Sequence, residues 1–198
     1  MITGKRMKEI YMAMTAICEE VSMLLNSIND QLVELGYAAN GTGVMWDRSN
    51  SWHGPRFWMP YFQQKIWIGS QRKNEGIGVN ILFDYADFNN QYPAITCAYL
   101  KAENESSFHR CIPLFNAGYG AESDYRENLH TKSYHNIDDG VEMWYYFLPL
   151  ETVSREEKVL EYIIEPLHQR FQSQGNNTAK IKSLGDVVKT VEEIVEGD

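Results

Sequence analysis

The sequence predicts an α+β fold: an antiparallel meander sheet of about six strands, one long N-terminal helix and two C-terminal helices. Three observations predict it. Apolar residues recur at helical spacing before residue 36 and again after residue 154. Between Val44 and Leu150 they alternate with a period of two, and short polar turns join the alternating segments. Parallel neighbours need long crossovers, so short turns imply antiparallel pairing, and helices at either end of a run of strands make an α+β layer fold.

Each element has its own signal. In residues 5–35, Ile10, Met14, Ile17, Val21, Leu24 and Ile28 recur at alternating spacings of four and three. Gly36 then supplies a stop. This seam is expected to pack on its own domain; the same seam would also serve a homodimer through the 5–35 helix. Phe57–Phe62 and Lys65–Gly69 read as short strands with a brief turn between them. Ile77, Val79, Ile81, Phe83 and Tyr85 alternate with Gly78, Asn80, Leu82 and Asp84. Ala94–Leu100 and Phe108–Phe115 follow, and Val141, Met143, Tyr145 and Phe147 complete the meander.

Behind the sheet, Ser154 with Glu157 reads as a capping box for a helix carrying Leu160, Ile163, Leu167 and Phe171. Pro166 inside that pattern predicts a kink or restart. A last helix is expected from Ser183 and Asp186, with Leu184, Val187, Val191 and Ile194 on one face. The chain thus reads as a single domain, 1–198: N-terminal helix 5–36, sheet 44–150 with a polar insertion at 116–140, and C-terminal helices 154–196. Inside the insertion, Ser123–Leu129 reads as one short helix.

Composition supports one core. A chain of 22.9 kDa should bury roughly 70% of the surface its unfolded form exposes. The 25 aromatics supply much of that core. The net charge of −9 is uneven: residues 41–100 carry 12 of the aromatics and a balance of +1, while residues 101–198 carry most of the acid. The basic face that duplex DNA requires is missing from this pattern. Three cysteines without a CxxC pair do not make a disulfide framework or a thiolate zinc site. Neither a secretion leader nor an apolar run long enough for a membrane span is present, so the expected location is cytoplasmic.

Motifs for nucleotide, metal or nucleophile chemistry are absent: no GxxxxGK[ST], GxGxxG, HExxH, GxSxG or EF-hand loop. No cofactor and no metal is therefore expected. Three constellations remain. The first is Trp46, Arg48, Trp52, His53, Arg56 and Trp58, with Trp67 on a neighbouring strand. Flat aromatic faces with interleaved cations stack on planar ligands, and indoles are equally the heaviest core fillers. The second is His130, His135, Asp138 and Asp139 in the insertion, with His109 before it. Imidazole and carboxylate suit first-row metals, although these spacings match no metal signature. The third is Lys65, Arg72 and Lys73, a solvated set unless Arg48 and Arg56 converge on it.

These features lead to a non-catalytic binding or interaction domain. Its aromatic-rich sheet face and the 116–140 insertion are expected to hold a protein partner or an organic ligand. The alternative is a hydrolase or nuclease-like enzyme with a His/Asp site in the insertion.

Overall fold

A computed structural model of the chain describes residues 3–39, 45–47, 62–83, 93–104, 126–128, 132–138 and 140–196. Helix α1 spans Gly4–Glu34. Thr3 caps its first turn, accepting from the Arg6 amide. Gly36, at φ +87°, ends it in the left-handed conformation where a side chain would be strained. Strands β1 (Tyr37–Ala39), β2 (Met45–Asp47), β3 (Phe62–Gly69), β4 (Glu75–Leu82) and β5 (Ala94–Ala102) follow. Then come β6 (Arg126–Asn128), β7 (Ser133–Asp138) and β8 (Val141–Pro149). All pair antiparallel in one sheet, ordered β1-β3-β4-β5-β8-β7-β6, with β2 also on β3. The fold is α+β, built from two meanders, β3-β4-β5 and β6-β7-β8, joined where β8 lies against β5.

Several boundaries differ from the sequence reading. Phe62–Gly69 is one strand with no turn before Lys65, because Gln63 and Gln64 stay in the ladder opposite Ile81 and Asn80. Within the 116–140 segment, Arg126–Asn128 is strand β6 where the sequence reading placed part of a short helix over Ser123–Leu129, and β7 pairs with β8 across Gly140. Burial of Tyr134 against Tyr145, ring on ring at 5.4 Å, holds that pairing. Residues 57–61, 85 and 108–115, which the sequence reading also placed in strands, lie outside the described residues.

The sheet is buried on both faces. β4 is buried at every position and β5 at all but Lys101, so neither strand has a wet side. On the first face, Trp67, Ile77, Val79, Ile81, Ile95, Cys97, Tyr99, Tyr146 and Leu148 meet the C-terminal half of α1 and a second helix. That second helix, α2 (156–172), runs Glu156–Val159, Leu160–Ile164 and Glu165–Gln172 without interruption. On the second face Ile66, Leu82, Ala98, Tyr134, Tyr145 and Phe147 pack with Ile194. Ile194 belongs to α4 (Val191–Glu196), which follows the short α3 (Ala179–Ser183) and a 3-10 turn at Gly185–Val187.

Neither helix start read from the sequence forms. Ser154 closes a 3-10 turn at Leu150–Val153, so α2 begins from Arg155 with no side-chain cap. Ser183 ends α3 rather than starting a helix. The box that forms is Thr190 with Glu193. The Glu193 amide donates to Thr190 Oγ1 at 3.1 Å, and the Thr190 amide donates to Glu193 Oε2 at 2.6 Å.

Pro166 changes α2 without breaking it. Its buried apolar positions Val159, Ile163, Leu167 and Phe171 are spaced by fours. In a 3.6-residue helix each such step drifts about 40° around the axis. A wider π segment at Leu160–Ile164, with the Glu165 amide bonded to the Leu160 carbonyl five residues back, absorbs the drift. Pro166 has no N–H to give the Tyr162 carbonyl. The Tyr146 hydroxyl, from buried β8, donates to that carbonyl at 2.6 Å. Tyr146→Phe removes the donor and leaves a carbonyl orphaned. The expected loss is about 1–3 kcal/mol, read from the urea midpoint.

Candidate functional site

The aromatic–cationic set read from the sequence is placed only in part. Trp46 lies on β2 opposite Gln63, while Arg48, Trp52, His53, Arg56 and Trp58 lie outside the described residues. Trp67 is fully buried, with no surface open to a ligand. Its indole N–H donates to Asn29 Oδ1 at 3.0 Å, and Lys65 Nζ reaches the same oxygen at 3.1 Å. Lys65 also lies 5.5 Å from the Trp67 ring centroid. These groups seal α1 onto the sheet. Of the His/Asp set, His135 and Asp138 are on β7; His109, His130 and Asp139 lie outside the described residues. Among the described residues no group of three or more His, Cys, Asp or Glu side chains could hold a metal ion.

The described polar and aromatic groups converge instead at one end of the first sheet face, under the last turn of α2. Ile77, Tyr99, Trp144 and His135 form a single row across β4, β5, β8 and β7. Tyr99 and Trp144 have ring centroids 5.3 Å apart. His135 stacks on Trp144 at 4.7 Å with planes 17° apart, and its Nε2 is 2.8 Å from Glu142 Oε1. From the β3–β4 turn, Arg72 Nη1 pairs with Glu75 Oε2 at 2.8 Å. Arg72 Nη2 donates to the Phe171 carbonyl at 2.6 Å, satisfying an end carbonyl of α2 where a cation is also favoured by the helix dipole. The Tyr99 hydroxyl donates to the same Glu75 oxygen at 2.9 Å. Burial, reinforced by that bond to Glu75, pushes the Tyr99 pKa up and keeps the hydroxyl a donor.

Phe171 holds the α2 end of this cluster in place. Its ring occupies the space a Cβ on Gly69 would fill, so only glycine suits that strand end. The ring meets Tyr37 at 4.8 Å and lies under the Arg72 guanidinium at 4.0 Å. One turn away, the Tyr37 hydroxyl and His168 Nδ1 are hydrogen-bonded at 2.9 Å. Burial lowers the His168 pKa, favouring the neutral ring.

Arg170 is the unusual member. It is only 4% exposed, and its Nε and Nη1 have no hydrogen-bond partner among the described residues. The guanidinium lies 5.5 Å from the Trp144 ring centroid. No carboxylate among the described residues is within ion-pair distance of it. Glu75 is engaged by Arg72 and Tyr99, and Glu142 by His135. Burial draws its pKa down to about 10, which leaves it charged at neutral pH. A buried cation without a counter-charge is costly; cation–π contact with one indole offsets only part of that cost. The cluster's rim, formed by Trp144, Ser173, Gly175, His135 and Glu142, is half-buried.

The opposite sheet face holds a second polar feature. Gln64, Asn80 and Thr96 are buried neighbours on β3, β4 and β5. Neither the Asn80 amide nor the Thr96 hydroxyl has a hydrogen-bond partner among the described residues.

Sequence reasoning missed Arg170, Trp144 and Tyr99. One signal for the strand existed: β8 carries aromatics on both parities, Trp144 and Tyr146 as well as Tyr145 and Phe147, which marks a strand buried on both faces. Nothing in a single sequence separates Arg170 from an ordinary solvated helix arginine. No protein-family model, curated protein or solved structure matches the chain.

Two outcomes are expected. Because the folded His168 pKa lies below the unfolded value of about 6.5, the unfolded chain takes up the proton first. Stability is then complete above that pH and falls as pH drops toward the folded pKa. The melting temperature should decline from pH 7.5 to 5.5, and His168→Gln should flatten that decline. Thr96→Val should raise stability by about 1–3 kcal/mol in urea titrations, since it removes a buried unpaired hydroxyl. A loss instead would show that water or a ligand engages that group.

Proposed function

We propose that the protein is a non-catalytic binding domain that holds an organic ligand through an anionic group. The ligand would sit where the aromatic-rich β5–β8 region of the sheet meets β7 from the 116–140 segment. One observation carries the reading: the buried Arg170 guanidinium has two nitrogens without partners, beside the Trp144 and Tyr99 rings. An oxyanion would supply the missing charge and accept from those nitrogens, the stronger class of hydrogen bond. The half-buried rings of Trp144 and His135 would add a flat surface for the organic part, as in ligand sites where few polar groups fix orientation. His135 and Glu142 are bonded to each other, and no nucleophile stands beside either among the described residues, which favours binding over catalysis.

Melting curves in phosphate and in benzoate, with chloride at matched ionic strength as reference, test the reading. At a hundred times Kd, a specific anion stabilises by about 2.7 kcal/mol. For a chain of this size that is about 5–10 °C in Tm. Arg170→Met should raise the Tm of the anion-free protein and abolish the response. Equal Tm values in all three salts, or a response that survives Arg170→Met, would overturn the proposal.

A further inference from the structure

Helix α1 is packed along only half its length. Its buried residues are Val21, Leu25, Ile28 and Leu32, all in the C-terminal half. Residues 4–20, about 25 Å of helix, contribute no buried residue. Along that half Met7 is 62% exposed, Ile10 46% and Ile17 41%, with Met14 half-buried. Most helical stability in proteins comes from packing an apolar face, and this half of α1 has none packed among the described residues. The face here follows spacings of three and four, continuous with the one that packs on the sheet from Val21 onward, and Tyr11 and Met12 beside it are exposed as well.

We propose that residues 4–20 of α1 pair antiparallel with the same segment of a second copy of this chain. Charge and sterics both select that partner and that direction. The first turns carry Lys5, Arg6 and Lys8, while Glu19 and Glu20 close the exposed stretch. Taking Met7 and Met14 as a positions and Ile10 and Ile17 as d positions puts Arg6 and Glu20 both at g. An antiparallel pair stacks Met7 on Ile17 of the second copy and Ile10 on Met14. The same register sets Arg6 facing Glu20 of the second copy, twice by symmetry. Neither Arg6 nor Glu20 has an ion-pair partner among the described residues. A parallel pair would bring both sheets to the same end of the helices and leave Arg6 opposite Tyr11. Closed two-fold pairing of one self-complementary patch is the commonest form of assembly. A membrane surface is a poorer fit, because interfacial helices carry cations along the whole polar face, whereas here Lys5, Arg6 and Lys8 are confined to the first turns and the stretch ends in Glu19 and Glu20.

Light scattering on the full chain at tens of micromolar gives the first reading, a mass twice 22.9 kDa. Met14→Lys should return the single-chain mass with an unchanged urea midpoint for the body, since the seam touches none of its core. Arg6→Glu and Glu20→Arg should each lower the dimer fraction at least several-fold, and the double swap should restore it, which only the antiparallel register predicts. A wild type of single-chain mass overturns the proposal, whether or not it binds vesicles of phosphatidylserine and phosphatidylcholine. A dimer that the double swap fails to rescue overturns it too.

Discussion

The bond from the Tyr146 hydroxyl to the Tyr162 carbonyl is the constraint on which the helix-covered face depends. A proline at 166 leaves one carbonyl of α2 without its donor, and a buried strand supplies one across the interface. Burial, which raises the Tyr146 pKa, ensures that the phenol keeps the proton it donates. The π segment beside it corrects the phase of an apolar series spaced by fours. Together they decide which side of α2 meets the sheet beyond Pro166. Leu167, Arg170 and Phe171 turn inward as a consequence, and His168 reaches Tyr37.

Arg170 thereby enters an interior where no described residue offers it a counter-charge. The two carboxylates of that end of the sheet are already committed, one to Arg72 and Tyr99, the other to His135. Structural networks normally satisfy their own members, as Arg72 does with Glu75 and the Phe171 carbonyl. The contrast between two arginines in one cluster, one fully engaged and one not, is what separates a candidate site from scaffold. The unpaired Asn80 and Thr96 on the other face show a second place where burial outruns hydrogen bonding, this time without charge.

The legible part of the fold is the part governed by local pattern. Helix α1, the glycine stop at Gly36, and the strands β4, β5 and β8 appear where the pattern puts them. Burial does not follow the pattern: α1 buries Leu25 and Leu32 rather than Leu24, and β4 and β5 are buried on both faces. Caps and turns were less legible, because Ser154–Glu157, Ser183–Asp186 and Thr190–Glu193 offer the same local chemistry. Tertiary packing selected only the last, where the Val191 amide also donates to the Tyr134 hydroxyl. The seam of α1 illustrates the same limit. Its spacing is uniform, yet the sheet covers only the half from Val21 onward.

The sequence by itself determined the class of the fold, the antiparallel pairing and the positions of the main elements. Hydrophobic period and turn chemistry are local quantities that a linear chain displays. Only the tertiary structure decided that the sheet is covered on both faces, that Trp67 is a core residue hydrogen-bonded to α1, and that Arg170 is a buried cation. Those are properties of distance between residues far apart in the chain. Period two says that the faces of a strand differ without saying what lies against either. A charged residue between Leu167 and Phe171 reads the same whether it meets water or an indole ring.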